Sequence, residues 1–402
     1  MLPDRAAPPS LRGDGLTKYH WINIALALAL LAIGIVAAGA IVFGAVSLAR
    51  DRHRHHPHYD DDNDEAVALS YCLATPAEEK RWEQFRVKYG RTYASAEEEQ
   101  TRRCIFLQNL HRAGAHEATA THGARYGDSP FMDQTASEFA NERLVPEEEF
   151  NESPLSMCMH PPQFNASDAN NPVFAVPTSF DWCPGACTPV RNQGRCGGCW
   201  AISAVEALES QWRLSGRALT AFSEQQVISC DPRASGCGGG TNCKAFEYIS
   251  SSGVMGVELQ TAYPFTSGLS GATGPCLFNA SQVVGTLQSA CFVSVEGNVN
   301  ETAMLNAMYW YGPLSVCVNA GSDTQWQNYK DGVMSQNTCP SSGLDHCVEL
   351  VGWGEEAGVP YWTVRNSWGT EWGESGFARL ERNTDTCGIG RQAILPRVPP
   401  LL

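Results

Sequence analysis

Gln193–Ser203 reads QGRCGGCWAIS, and this stretch decides the fold because it sets one cysteine where a helix is ready to begin. Cys199 is followed by Trp200, Ala204, Leu208 and Trp212 at intervals of four, an apolar stripe that predicts a helix pinned against a core. Gly216 supplies its stop. A thiol at a helix N-terminus meets the positive end of the helix dipole and unpaired backbone N–H groups, and both favour the thiolate. Cys199 is therefore the candidate nucleophile.

A nucleophilic cysteine needs an imidazole to exchange its proton, and that partner lies far along the chain in most such enzymes. Of the ten histidines, His346 stands out. It sits in LDHCVELVGWG, a β-prone run whose last glycines mark a turn. A third group should orient the ring, and Asn366 in YWTVRNSWGTEWGESGF is the candidate, with Trp368 shielding that contact from water.

The blocks QGRCGGCW, SEQQVISC with GCGGG, GPLSV, LDHCVELVGWG and RNSWGTEWGESGF resemble those of the papain family of cysteine proteases, of the cathepsin L-like kind. They recur in the family's order from about Pro177 to Gly390. The resemblance implies Cys199 as nucleophile, His346 as general base and acid, Asn366 as ring orienter and Gln193 as side-chain oxyanion donor beside the Cys199 N–H. The implied reaction is hydrolysis of protein or peptide substrates through an acyl-enzyme, with no metal and no cofactor. It also implies disulfides Cys196–Cys237, Cys230–Cys276 and Cys339–Cys387. No insertion resembling an occluding loop or mini-chain is evident, which favours an endopeptidase. The family's main specificity pocket maps onto Thr241, Asn242, Cys317, Asp345, Cys347 and Gln392, and Gly239 and Gly240 are expected to admit the substrate backbone. Thr241 is small and Gln392 neutral, so the expected taste is for apolar or medium-sized side chains rather than arginine.

Several positions depart from the family pattern. Gly198 stands where the family usually has serine, which leaves room but loosens the turn. The stretch DWCPGACTPV is one residue short and carries Cys183 and Cys187, expected to form a local disulfide. Cys317 and Cys347 are either bridged across neighbouring strands, narrowing the pocket, or two buried thiols. The CxxC of Cys196 and Cys199 is neither a redox motif nor half a zinc site, since no βαβ pattern precedes it.

The net charge of −15 argues against nucleic acid as a partner. Sixteen cysteines suit an oxidising compartment, and N-x-S/T sequons at Asn151, Asn165, Asn279 and Asn300 agree with lumenal exposure. Residues 21–49 contain no charge. That run is long enough to cross a bilayer and too long for the apolar core of a cleavable signal. Flanking basic residues balance, so orientation rests on the disulfides and sequons. These predict a type II single-pass membrane protein of the endolysosomal or secretory pathway, with its protease lumenal.

The resulting organisation is a cytoplasmic tail 1–20, a signal-anchor helix 21–49, a stalk 50–75, an inhibitory propeptide 76–150, a processing linker 151–175 and a protease domain 176–402. In the propeptide Trp82, Phe85 and Tyr89 share a face. Glu99, Arg103, Phe106 and Asn109 match the family's inhibitory motif, whereas Ala113 and Glu117 depart from it. Phe131, Asp133 and Glu138 match its second block. Such a propeptide implies a zymogen, its tail running backwards through the cleft over Cys199. The cluster Glu147, Glu148 and Glu149 predicts release on acidification. The fold class expected is α+β: a helical lobe bearing Cys199 and a β-barrel-like lobe bearing His346 and Asn366, with substrate between them. The non-enzymatic alternative is a tethered homologue that only binds, and labelling by a thiol-directed epoxide separates the two.

Overall fold

The computed structural model describes residues 72–151, 176–321 and 326–401. The expected tail, the signal-anchor helix 21–49, the stalk up to residue 71 and residues 152–175 of the expected linker lie outside the described residues. Among those described, no helix is long and apolar enough to cross a membrane.

The N-terminal part is built on two helices that the sequence starts firmly. Thr75 caps Pro76–Lys88 in a reciprocal box with Glu78, and Pro76 occupies the first turn, where its missing N–H costs nothing. Ser95 caps Ala96–Thr119 by accepting from the Glu98 amide. Trp82, Phe85, Phe106, Leu107, Leu110 and Met132 form their shared core, with the Phe85 and Phe106 rings 5.0 Å apart. Arg103 pairs with Glu79 and Arg86 with Glu99 across the two helices. Asn109 is buried and donates to the Met132 and Gln134 carbonyls at 2.9 and 2.8 Å, holding the chain that follows. Cys72, which the sequence reading leaves in the stalk, is bridged to Cys104 of the second helix.

The helix Cys199–Leu214 ends at Ser215, with Gly216 at φ +96° as the left-handed stop. Its burial differs from the sequence expectation. Every residue from Cys199 to Gln211 is buried, not only the apolar stripe. The helix lies between the strand His346–Glu356 on one side and the helices Glu224–Cys230 and Asn242–Ser250 on others, so its polar face is enclosed too. Ser203, Glu206, Glu209 and Ser210 are all buried.

The strand-like runs of the C-terminal half form one sheet in the order Ser289–Val295, Gln392–Arg397, Leu314–Val318, His346–Glu356, Val359–Arg365, Phe377–Glu381, Val333–Met334. Its pairings are antiparallel except the last. His346–Glu356 is central and buried along nearly its whole length, which explains its continuous apolar run. Phe180–Asp181 pairs with it at Gly352, where a Cβ would sit 2.6 Å from the Phe180 carbonyl oxygen. The helix Glu301–Tyr311, capped by Asn300, was not anticipated. Its Met304 and Met308 enter the sheet's core with Trp326, Tyr329, Trp362 and Trp372. A second core holds Trp200, Leu208, Phe222, Val227 and Phe246. The fold is therefore α+β with two cores in the C-terminal part and a third in the N-terminal helices.

The Thr75 amide, then His111 and the Thr75 hydroxyl, hold the Glu78 carboxyl down to about 2 from its ordinary 4.5. A carboxyl depressed by folding contributes stability above its unfolded pKa and loses it as pH falls toward the folded value. The thermal midpoint of the N-terminal helices should therefore drop between about pH 4.5 and 2, and Glu78→Gln should flatten that drop. Equal pH dependence in the variant would show that Glu78 carries none of it.

Candidate active site

Gly198 caps the helix without a side-chain bond, leaving Cys199 as its first residue. Glycine does not loosen this turn, contrary to expectation. A Cβ at Gly198 would sit 2.7 Å from the Ile228 Cδ1 and 3.4 Å from the Cys196 sulfur, so the site is already filled. Cys196 is bridged to Cys237, anchoring the preceding loop. Cys199, His346, Asn366 and Gln193 are all fully buried at 0 % exposure. His346 Nε2 meets Asn366 Oδ1 at 2.8 Å, and the Trp368 ring lies 4.6 Å from the imidazole, covering that contact. The amide of Cys347, the residue after His346, reaches the Cys199 thiol. His346 Nδ1 has no hydrogen-bond partner among the described residues.

The electrostatics reverse the simple expectation of a thiolate. Burial pushes the Cys199 thiol up to about 12 despite the opposing N–H groups of Cys347, Trp200 and Cys199 itself, and Asp345 adds to the rise. Burial likewise pulls His346 down to about 4 against the Asn366 bond. Desolvation wins because the charged form of either group would face a nearly dry interior. At neutral pH the pair is a thiol beside a neutral imidazole.

The chain from Phe131 to Glu149 packs over the residues that surround them. Phe131 and Phe139 stand edge-on to Trp368 at 5.9 and 5.0 Å. The helix Ala136–Arg143 opens with a Thr135–Glu138 box. At its end, Gln193 Nε2 donates to the Arg143 carbonyl and to that of Cys196, each at 2.9 Å. The Val145 amide donates to the Asp345 carbonyl at 2.7 Å, and Val145 Cγ1 lies 2.8 Å from where a Gly239 Cβ would stand. Glu149 pairs with Lys244 at 2.7 Å. Glu147 and Glu148 make no ion pair with the C-terminal part among the described residues, so Glu149 alone of the acidic cluster bridges the two. Farther out, Arg125–Tyr126 pairs as a strand with Tyr329–Asp331.

The expected pocket residues do converge. Cys317 and Cys347 are opposite residues on adjacent strands and are bridged, which settles the open alternative. Thr241 caps the helix Asn242–Ser250. Asn242 is spent on structure, donating to Ser315 and accepting from Gln392 Nε2 at 2.6 Å. Asp345 presents its carbonyl, while its carboxylate accepts from the Ala320 amide at 2.7 Å. Gly240 also meets a packing demand the sequence did not announce. A Cβ there would strike the Trp200 ring at 2.8 Å, so internal packing requires glycine. Cys183–Cys187, Cys230–Cys276 and Cys339–Cys387 are also disulfides. Sequence reasoning overlooked Ser367, whose hydroxyl donates to Gln193 Oε1 at 2.7 Å beside the Trp368 N–H at 3.0 Å. Together they orient the Gln193 amide. Ser367 directly follows Asn366, and that adjacency was the available signal.

Known proteins share this arrangement. The pattern described as papain family cysteine protease matches residues 176–397, and that of the cathepsin propeptide inhibitor domain matches residues 82–139. Cysteine proteinase B of Leishmania mexicana is 35 % identical over 338 residues, covering 83 % of this chain and 72 % of its own. Digestive cysteine proteinase 2 of Homarus americanus is 34 % identical, over 83 % of this chain and 99 % of its own. The solved structure of digestive procathepsin L 3 from Tenebrio molitor superposes with a TM-score of 0.67 at 29 % identity, covering 81 % of this chain and 100 % of that one.

Because Cys199 is buried and protonated, iodoacetamide at pH 7 should leave it unmodified in the intact chain and alkylate it once residues 72–151 are removed. Mass spectrometry of the Cys199 peptide reads this directly, with partly exposed Cys291 as internal reference. Equal labelling before and after removal would contradict the burial.

Proposed function

The chain belongs to the papain family of cysteine proteases and is made as a zymogen with its own inhibitory propeptide, and we propose how its residues divide that work. Cys199 attacks the scissile carbonyl as thiolate. His346, held by Asn366, carries the thiol's proton and delivers it to the leaving amine. Gln193 and the Cys199 N–H hold the oxyanion. Water, activated by the freed imidazole, then attacks the acyl-enzyme and releases the acid product. The observation that carries this reading is the main-chain carbonyl of Arg143 held by Gln193, a peptide carbonyl accepting from the side chain assigned to the oxyanion.

That segment runs from Trp368 toward Gly239, opposite to a substrate whose specificity residue enters the pocket by Gly239. It therefore offers no scissile bond in the productive sense. In the same region Val145 rests on Gly239, the Cys317–Cys347 bridge narrows the wall, and the Asn242–Gln392 bond closes the floor without a charge. These features favour a valine-sized or medium apolar side chain two residues before the cut and give arginine no counter-charge.

Latency and release follow from proton counting. The covered pair is thiol and neutral imidazole; the uncovered pair is thiolate and imidazolium. Both hold one proton, so acid does not uncover the site through them. Glu149 ties the propeptide to Lys244 of the C-terminal part by an ion pair, and the pH dependence is assigned to a carboxyl within the propeptide, Glu138. Burial raises the Glu138 carboxyl, but Arg102 and the Thr135 amide more than offset this and hold it below the ordinary range. Its contribution to propeptide stability is present above that range and is lost as pH falls through it. The propeptide spans about 76–150, cleavage falls in 151–175, and the mature protease is 176–402. Residues 21–49 anchor the precursor as a type II membrane glycoprotein, with the protease in the lumen of the endolysosomal or secretory pathway, where it degrades proteins.

Cys199→Ala should abolish hydrolysis, and Gln193→Ala should lower kcat by about 10²–10³-fold while the protein remains folded. A peptide library should show Val or Leu preferred over Arg at the pocket position by roughly tenfold or more. Full activity in Gln193→Ala would remove it from the oxyanion site. Glu149→Gln should speed processing at neutral pH by removing the ion pair to Lys244, whereas the Glu147→Gln/Glu148→Gln double variant should process like the parent. Glu138→Gln should flatten the acceleration by acid. The reverse pattern would reassign the trigger.

A further inference from the structure

Behind the reacting groups lie six buried charged side chains: Arg191, Glu206, Glu209, Glu224, Glu349 and Arg365. Four carboxyls thus face two guanidiniums. One half of the cluster is well served. Glu209 accepts from Arg191 at 2.6 Å, from the Phe222 amide at 2.7 Å and from Thr188 Oγ1 at 2.6 Å. Glu224 accepts from Gln260 at 3.0 Å and lies 3.4 Å from Arg191.

The other half is short of partners. Arg365 Nη2 lies 2.7 Å from Glu349 Oε2 and 3.5 Å from Glu206 Oε1. These ionic contacts are not aligned as hydrogen bonds, so all three atoms lack a hydrogen-bond partner among the described residues. Glu349 Oε1 accepts from Ser210 at 2.7 Å, and Arg365 donates to the Thr188 carbonyl. The placement of these three residues is what matters. Glu206 stands about two turns along the helix that Cys199 begins, Glu349 follows His346 on the same strand, and Arg365 immediately precedes Asn366.

We propose that Glu206, Glu349 and Arg365 are positioning residues: one negative charge, shared between the two carboxyls, clamps Arg365 and so holds the segments bearing Cys199, His346 and Asn366 in register. The inference rests on the assignment of those three as the reacting groups. Two ionised carboxylates against one guanidinium in a dry interior repel each other; none at all leaves a bare buried cation, which is the costlier defect. Burial pushes the Glu206 carboxyl up to about 8 against the pull of Arg365 and Arg191, with Glu349 and Glu209 adding to the rise. Burial raises Glu349 in the same way. Both shifts run against a second negative charge beside Arg365, as the 2.7 and 3.5 Å approach of two carboxyls to one guanidinium demands.

The test is a double-mutant cycle in the processed enzyme. Glu206→Gln and Glu349→Gln should each lower kcat/KM by about threefold or less, because the remaining carboxyl ionises. The double variant should lose roughly thirtyfold or more in kcat with KM within about twofold, since Arg365 is then unpaired. It should also shift the pH profile of Cys199 alkylation, which a purely structural defect at constant geometry would not move. A double variant equal to the product of the singles overturns the proposal, as does Glu349→Gln alone matching the double. If the double variant does not fold, adding Arg365→Met should restore folding by removing the stranded cation; failure to do so also overturns it. If the parent enzyme neither hydrolyses peptides nor alkylates at Cys199, the hydrolase assignment fails, and the same cycle read as thermal midpoints still decides whether the charge is shared.

Discussion

The packing of the helix Cys199–Leu214 against the strand His346–Glu356 is the constraint on which the rest of the molecule depends. It sets the thiol next to the amide that follows His346 and encloses the helix from Cys199 to Gln211. Enclosure has a cost that the chain meets with specific chemistry. Every polar side chain on the helix needs a partner in the opposing elements, and Ser210, Glu206 and Glu209 find theirs on Glu349, Arg365, Arg191 and Thr188. The same interface that brings Cys199 to the strand bearing His346 therefore also concentrates buried charge.

Inhibition uses that interface without altering it. The propeptide segment makes ordinary peptide hydrogen bonds, a carbonyl to Gln193 and an amide to the Asp345 carbonyl. It makes them at a place where removing water changes the chemistry. Burial favours the uncharged forms of Cys199 and His346, because desolvation outweighs the N–H groups at the thiol and the Asn366 bond at the imidazole.

Much of the site was legible before any coordinates. Cys199, His346, Asn366 and Gln193 sit in blocks whose residue types are dictated by chemistry at short range: a helix start, a strand, a tight turn. The helix Glu301–Tyr311 was not legible, since its apolar residues crowd around the helix rather than forming one stripe and read as neither period clearly. The Cys72–Cys104 bridge was also missed, because nothing local in the Cys72 segment announces a partner on a helix.

The sequence alone determined the family, the cap and stop signals of the principal helices, and the strand-like runs of the C-terminal half, because motif blocks, caps and alternation depend on neighbours within a few residues. Only the tertiary structure decided that the Cys199 helix is buried on all sides as far as Gln211, that Cys317 joins Cys347, that the Trp200 ring crowds Gly240, and that burial raises the thiol. Each of these depends on which distant surfaces meet and how much water they exclude, and burial is a property of the assembled chain that no local pattern encodes.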